Sequence, residues 1–256
     1  MSTIIVTYED SAQIIAFNRP KRLNAISFQC YKEVIKALQE GAANESVLFT
    51  IFTGIGRTYS SGTDLFDESD VGFEERLSAT RDFVRAFIDY PKLLVALVNG
   101  PAIGIACTTL GLCDLVYATK TATFSCPFHK LGLTAEGCST ITFPLIMGKM
   151  RAAEFLYSGE TLSAIRAKDF GLVNALVDDG ISGRDQLIKK IKTTIVVYKK
   201  PLMCTKSMMF NGIITKDDLH KANDREHETL IERFYSEDFQ NAVANYLEQK
   251  MLKNKL

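Results

Sequence analysis

The sequence predicts an α/β fold, and three observations carry that prediction. Short apolar runs of strand type recur at residues 4–17, 47–53, 93–98, 115–118 and 122–125. Stretches of helical periodicity separate several of them, so the order strand, loop, helix repeats. From about residue 200 the strand pattern stops and amphipathic helices remain. No low-complexity linker intervenes, so the chain divides loosely into a core over residues 1–199 and a helical region over residues 200–256.

Residues 4–17 read as a hairpin turning at Glu9-Asp10-Ser11 and closed by Asn18-Arg19-Pro20. Over residues 27–40, Cys30, Tyr31, Val34, Ile35 and Leu38 share one helical face, with Ser27 as its cap. Residues 47–53 are a buried-strand run ending at Gly54, after which Gly56 and Gly62 bracket a loop of small residues. A helix over residues 73–89 places Phe73, Leu77, Thr80, Val84, Phe87 and Ile88 on its inner face. The strand 93–98 stops at Asn99-Gly100-Pro101, and the small residues 102–112 predict a tightly packed helix entered through Gly104. Leu230, Phe234, Phe239, Val243 and Leu247 give the tail one apolar face, suited to closing a pocket or packing on a neighbour.

A chain of 256 residues, 46% apolar, is long enough to bury a sizeable core. Thirty basic residues balance thirty acidic ones, so no global field draws in nucleic acid or an anionic membrane, and an anionic ligand must be held locally. The longest apolar stretches fall far short of the about 20 residues that span a bilayer. The cysteines include no C-x-x-C pair and no secretory h-region opens the chain, which fits a reducing compartment. The last three residues, Asn254-Lys255-Leu256, differ at one position from the Ser-Lys-Leu peroxisomal address. A peroxisomal location therefore stands slightly ahead of cytosol or mitochondrial matrix.

"TGIGRTYSSGTDL" (residues 53–65) lacks G-x-G-x-x-G spacing and no G-K-[ST] follows, which argues against a phosphate loop. Neither Ser60 nor Ser61 lies in G-x-S-x-G, which argues against a serine hydrolase. His129, His220 and His227 form no metal pattern, the latter two falling on a polar helical stretch where solvated side chains are expected. No metal is expected.

What remains is two turns, Ser61-Gly62-Thr63-Asp64 and Ile103-Gly104-Ile105-Ala106, each expected to follow a strand and open towards a helix. Glycine lets the backbone approach a ligand, and N–H groups at a helix entrance suit an anionic oxygen. Either turn alone is equally well explained by tight packing. "LTAEGCST" (residues 133–140) adds one acid, Glu136, among small and hydroxyl residues. In the first turn of a helix such an acid is ordinarily explained by the helix dipole. A catalytic reading needs a pocket and donors for the charge a base creates.

These features lie within motifs through which the chain resembles the crotonase (enoyl-CoA hydratase/isomerase) superfamily over nearly its whole length. They are "NRPKRLNA" (18–25), "YSSGTDL" (59–65), "NGPAIGIA" (99–106), "CDLVYAT" (113–119) and "FSCPFHKLGL" (124–133). The resemblance implies a spiral of β-β-α repeats with a helical C-terminal region, assembled as a homotrimer or a hexamer of paired trimers. It implies acyl-CoA thioester ligands and no cofactor beyond the CoA that the substrate carries. By the same resemblance, the backbone N–H groups of Thr63 and Ile105 form the hole for the thioester oxygen. Lys21, Arg22, Leu23 and Ala25, with Ser60, Ser61, Gly62, Asp64, Leu65 and Gly104, border the substrate.

Departures within the family narrow the reaction. Where hydratases carry their two glutamates, this chain has Thr108 and Phe128. Glu136 instead matches the single acid of the Δ3,Δ2-enoyl-CoA isomerase branch, and "AEGCSTITFPLIMG" is most similar to its peroxisomal type. The implied activity is isomerisation of 3-enoyl-CoA to 2-trans-enoyl-CoA in unsaturated fatty acid β-oxidation, with one glutamate shuttling the proton. Chromodomain-Y-like proteins share much of this stretch but lack the acid, and look like CoA-binding interaction domains; Glu136 argues against that class.

Overall fold

The predicted hairpin forms as β1 (Ile4–Glu9) and antiparallel β2 (Ala12–Phe17), in a computed structural model that describes residues 2–67 and 69–253. The side chains of Phe73 and Leu247 and the tripeptide Asn254-Lys255-Leu256 lie outside the described residues. Ser27 caps α1 (Phe28–Ala43) as expected, accepting from the Cys30 amide. Next come β3 (Phe49–Gly54), α2 (Phe73–Asp89) and β4 (Leu93–Val98). The face of α2 bearing Leu77, Thr80, Val84, Phe87 and Ile88 is buried, as its periodicity predicts.

Residues 102–112 depart from expectation. Instead of one helix they form a two-residue strand β5 (Ala102–Ile103), a single turn α3 (Ile105–Thr108) and a 3-10 turn (Thr109–Leu112). The Ile103 amide donates across to the Ser60 carbonyl, and Gly104 adopts φ 58°, ψ −129°, so a helix cannot begin before Ile105. The remaining core consists of β6 (Leu115–Thr119), β7 (Thr123–Ser125), α4 (Ser139–Met147), α5 (Lys149–Ser158), β8 (Thr161–Ser163), α6 (Ala164–Asp169) and β9 (Ala175–Val177). Then come α7 (Gly180–Lys190) running into a π-helical turn (Ile191–Ile195), α8 (Lys199–Gly212), α9 (Lys216–Phe234) and α10 (Glu237–Lys253). The tail's apolar face is thus split between two helices, with Phe234 and Phe239 meeting edge to face across the bend.

The large sheet has order β1-β2-β3-β4-β6-β9, parallel from β2 onward, and a small sheet has order β5-β7-β8. Isolated parallel bridges Ile26↔Thr63 and Ser60↔Ala102 extend the small layer backwards through the earlier repeats. The early turns of chain thus each add a strand to the large sheet, an extended piece to the small layer and a helix. This is the predicted spiral.

Every residue of β4 is buried, because the large sheet is covered on both faces. Leu94, Ala96 and Val98 pack with Phe52, Phe83 and Phe87 on the α1–α2 side. Leu93, Val95 and Leu97 pack with Ile14, Ile51 and Leu187 on the other. The His227 side chain corrects an expectation: it is buried where α9 packs on α2, and burial lowers its imidazole pKa. His220 reaches Asp89 at 3.0 Å. Among the described residues no helix is long and apolar enough to cross a membrane, and no cluster of His, Cys, Asp or Glu is arranged to hold a metal ion.

Candidate active site

Two asparagines fix the loops that carry the glycine turns. The Asn24 side-chain amide donates to the carbonyls of Ile55 and Thr58, at 3.0 and 2.7 Å. Asn99 accepts from the Gly54 amide at 3.0 Å and donates to the carbonyls of Gly54 and Gly56, both at 2.9 Å. So held, Ser60 donates its amide to the Pro101 carbonyl and accepts from the Ile103 amide, at 3.1 and 3.0 Å. Gly62 and Gly104 then lie side by side: a Cβ on Gly62 would stand 2.6 Å from the Ile103 carbonyl oxygen and 3.6 Å from the Gly104 Cα. Both have positive φ, 81° and 58°, which glycine adopts without a Cβ penalty. Only the second turn opens directly into a helix, since α2 starts eleven residues after Gly62.

In each turn the amide that follows the glycine is unpaired among the described residues. Ile26 donates to the Gly62 carbonyl and accepts from Asp64, satisfying the neighbours of Thr63. Gly104 donates to Ser125, and its carbonyl accepts from Cys107 and Thr108. The amides of Thr63 and Ile105 meet no protein acceptor among the described residues. Backbone donors left open at a cavity wall suit an anionic oxygen.

That wall belongs to a cavity of about 100 Å³ lined by Ser61, Gly62, Thr63, Leu65, Gly104, Ile105 and Glu136, closed by apolar groups including Leu77, Phe128, Leu133, Leu230 and Phe234. The expected base and both expected donors therefore share one enclosure. A larger cavity, about 710 Å³, lies against the other side of the large sheet, bordered by Ile14, Arg57 and Arg184, and none of the predicted site residues touches it. Convergence of donors and a carboxylate, rather than volume, marks the smaller one as the candidate.

Glu136 does not sit in the first turn of a helix. α4 begins at Ser139, and Gly137 and Cys138, with φ 71° and 59°, swing the chain before it starts. The acid at the α4 N-terminus is instead Glu226 of α9, which accepts from the amides of Cys138 at 2.7 Å and Thr140 at 3.0 Å and from the Thr140 hydroxyl at 2.5 Å. The helix-dipole explanation thus applies to Glu226 and leaves Glu136 without one. Sequence reading missed Glu226, an acid on a polar helical stretch whose partners lie 86 and 88 residues away.

The Glu136 carboxylate is buried and receives no hydrogen bond among the described residues. Burial, reinforced by the negative charge of Glu226, pushes its pKa from 4.5 up to about 8. Thr108 turns its hydroxyl onto the Ile105 carbonyl, and Gly137 packs so closely that a Cβ there would stand 2.4 Å from the Thr108 Oγ1. Phe128 contributes a ring to the cavity. Neither place offers an acid.

Lys21, Arg22 and Leu23 are exposed, on a segment joined to the cavity wall by the Ser61 amide donating to the Leu23 carbonyl at 3.0 Å. Ala25, Ser60 and Asp64 are buried and do not border the cavity. The Ser60 hydroxyl links the Asn24 carbonyl to the Gly62 amide, while Asp64 pairs with Arg19 at 2.9 Å and Arg22 at 3.6 Å. These three brace the wall from behind.

A family model described as enoyl-CoA hydratase/isomerase matches residues 7–255. The chain belongs to that family. Enoyl-CoA delta isomerase 2 of Rattus norvegicus is 40% identical over 253 residues, covering 96% of this chain and 64% of the relative. Enoyl-CoA delta isomerase 3, peroxisomal, of Mus musculus is 40% identical over 253 residues, covering 96% of this chain and 78% of the relative. This enoyl-CoA hydratase/isomerase family member therefore spans less than two thirds of the rat protein's length. A crystal structure of an enoyl-CoA hydratase/isomerase from Pseudoalteromonas atlantica T6c superposes with a TM-score of 0.87 at 26% identity, covering 96% of this chain and 97% of that one. The crotonase-like fold read from the motifs is the fold of the family.

Proposed function

We propose that the chain isomerises 3-enoyl-CoA to 2-trans-enoyl-CoA, with Glu136 as the single acid–base group and the Thr63 and Ile105 amides as the oxyanion hole. The observation that carries this is one buried carboxylate, free of hydrogen bonds among the described residues, in the same small cavity as two open amides. Thr108 and Phe128 supply no second acid. The names of the rat and mouse relatives support the substrate class.

In this mechanism the Glu136 carboxylate removes a proton from C2. The C–H electron pair forms the C1–C2 double bond and displaces the carbonyl pair onto the thioester oxygen, giving a dienolate. When that pair returns, the C1–C2 pair becomes C2=C3 and the C3=C4 pair takes the proton back at C4. One carboxyl serves both transfers when it stands over one face of the substrate. The two amides stabilise the dienolate oxygen more than the neutral thioester, each worth roughly 3 to 4 kcal/mol in the barrier. No group beyond the substrate's own CoA enters, and Lys21, Arg22 and Leu23 stand on the side where that CoA runs.

The raised pKa sets the pH dependence. The free enzyme must lose the Glu136 proton before it reacts, so kcat/KM is expected to rise about tenfold per pH unit below about 8 and level off above it. A flat profile between about pH 6 and 9 contradicts the assignment. The defining experiment supplies the purified protein with 3-enoyl-CoA and, separately, with 2-enoyl-CoA. The first should yield 2-enoyl-CoA; the second should yield 3-hydroxyacyl-CoA at no more than about a hundredth of that rate, the scale set by a missing acid–base partner. Efficient hydration overturns the reading.

Two coarser features accompany it. Leu112, Leu145, Ile146, Met209 and Ile213 line an apolar hollow of about 510 Å³, which supports association of copies into a trimer or a pair of trimers. The mouse relative's name supports a peroxisomal placement.

A further inference from the structure

The turn that carries Glu136 is an improbable one. Gly137 and Cys138 are consecutive positive-φ residues, and Cys138 carries a side chain in a region that glycine prefers. Such a turn persists only where its surroundings hold it. Within the turn the Ser139 hydroxyl donates to the Glu136 carbonyl at 2.8 Å, and Thr108 packs against Gly137. From outside, α9 holds it: Glu226 takes three donors from Cys138 and Thr140, and the Cys138 thiol reaches the Leu219 carbonyl at 3.3 Å.

We infer that Glu226 is the positioning residue of this site: from α9 it grips the 136–140 turn through Cys138 and Thr140 and fixes where the Glu136 carboxylate stands relative to the Thr63 and Ile105 amides. The catalytic consequence rests on the isomerase reading and adds to it a residue that touches no substrate. Leu230 and Phe234 follow Glu226 at helical i+4 and i+8 spacing, and both line the cavity. One stripe of α9 therefore braces the base and walls the pocket, so docking of α9 and assembly of the site are one event.

The α4 dipole favours an acid here, but an acid does more than cap. Ser, Thr or Asn caps a helix without bringing a second negative charge near a buried carboxylate. Glu226 is itself 5% exposed, and the three donors offset only part of the cost of burying its charge, so burial holds its carboxyl above the usual range. The titratable groups facing Glu136 are Tyr31 of α1, Cys126 beyond β7 and Glu226 of α9. Burial pushes the Tyr31 phenol and the Cys126 thiol upward, so both are neutral near pH 7. Facing Glu226 are the Cys138 thiol, also pushed up by burial, and Arg225 of its own helix. Among the described residues, Glu226 is thus the charge that keeps Glu136 strongly proton-binding once burial has raised it.

Glu226→Gln in the full chain separates this role from a merely structural one. The amide keeps the size of the side chain and one acceptor oxygen but removes the charge. Expected are a fall in kcat of about tenfold, KM within about threefold, and an acid limb of the kcat profile displaced to lower pH. The Glu136 carboxyl signal in ¹³C-glutamate NMR of the unliganded protein, assigned by its loss in Glu136→Gln, should titrate at lower pH in step. Unchanged kcat, limb and titration in folded Glu226→Gln overturn the inference. Should that variant not fold, Thr140→Val, which deletes one donor to Glu226 but keeps its charge, is expected to lower kcat by less with KM within about threefold, and an unchanged kcat overturns the inference. Absence of turnover in the wild type refutes the isomerase reading, while the NMR titration still decides whether Glu226 controls Glu136.

Discussion

Glu136→Gln is expected to lower turnover of 3-enoyl-CoA by about 100-fold or more while acyl-CoA affinity stays near wild type, the loss expected when the only acid–base group is removed. The substitution is clean. Glutamine matches glutamate in size, and the Glu136 carboxylate accepts no hydrogen bond among the described residues, so no buried donor loses its partner. Single-turnover kinetics and calorimetric titration with a saturated acyl-CoA check the two halves. Equal turnover in both proteins would move the base elsewhere. Binding without turnover in either would leave a CoA-binding module with no chemistry.

The same variant should also be more stable at alkaline pH. With a pKa raised from 4.5 to about 8, the folded protein keeps a proton that the unfolded chain has released. Wild-type stability therefore falls as pH rises from 4.5 through about 8. Glutamine removes that loss, on the order of 5 kcal/mol when fully developed. Melting temperatures at about pH 9 should favour the variant, and the gap should close near pH 4. A gap that widens towards acid would mean that Glu136 is held ionised in the fold, against its role as a proton-binding base.

Where a pattern had one solution, it was legible. The α2 boundaries follow from an amphipathic face with no competing period, and β4 follows from six apolar residues bounded by Asn99-Gly100-Pro101. Residues 102–112 are small enough to suit helix or strand, and the choice is made by a hydrogen bond to Ser60, some forty residues away in sequence. No local signal contains that. Glu136 was identifiable through a resemblance, yet its placement ahead of α4 depends on Cys138 taking a positive φ, which cysteine rarely does. Glu226 was not identifiable, because its acceptor role is defined by amides that the fold brings to it from the far side of the chain.

The two proposed donors differ from Glu136 in being backbone groups, so changing side chains at 63 or 105 cannot delete them; the lever is the glycine geometry. Gly62→Ala is expected to reduce kcat roughly 100- to 1,000-fold, the measured scale for losing one oxyanion donor. The new methyl would stand 2.6 Å from the Ile103 carbonyl oxygen, backbone of the other turn, at a φ of 81° that an L side chain rarely adopts. Relief requires the two turns to part, and parting them moves the Thr63 amide away from the Ile105 amide. Gly104→Ala has no atom within 4 Å of its methyl and tests the backbone angle alone. Thr63→Val is the contrasting control. It removes the hydroxyl that meets the Tyr31 phenol at 2.8 Å but keeps the amide, so its loss should stay within about tenfold, near the roughly 1 kcal/mol of one neutral hydrogen bond. If folded Gly62→Ala turns over within about threefold of wild type, the thioester oxygen is stabilised somewhere other than between these two turns.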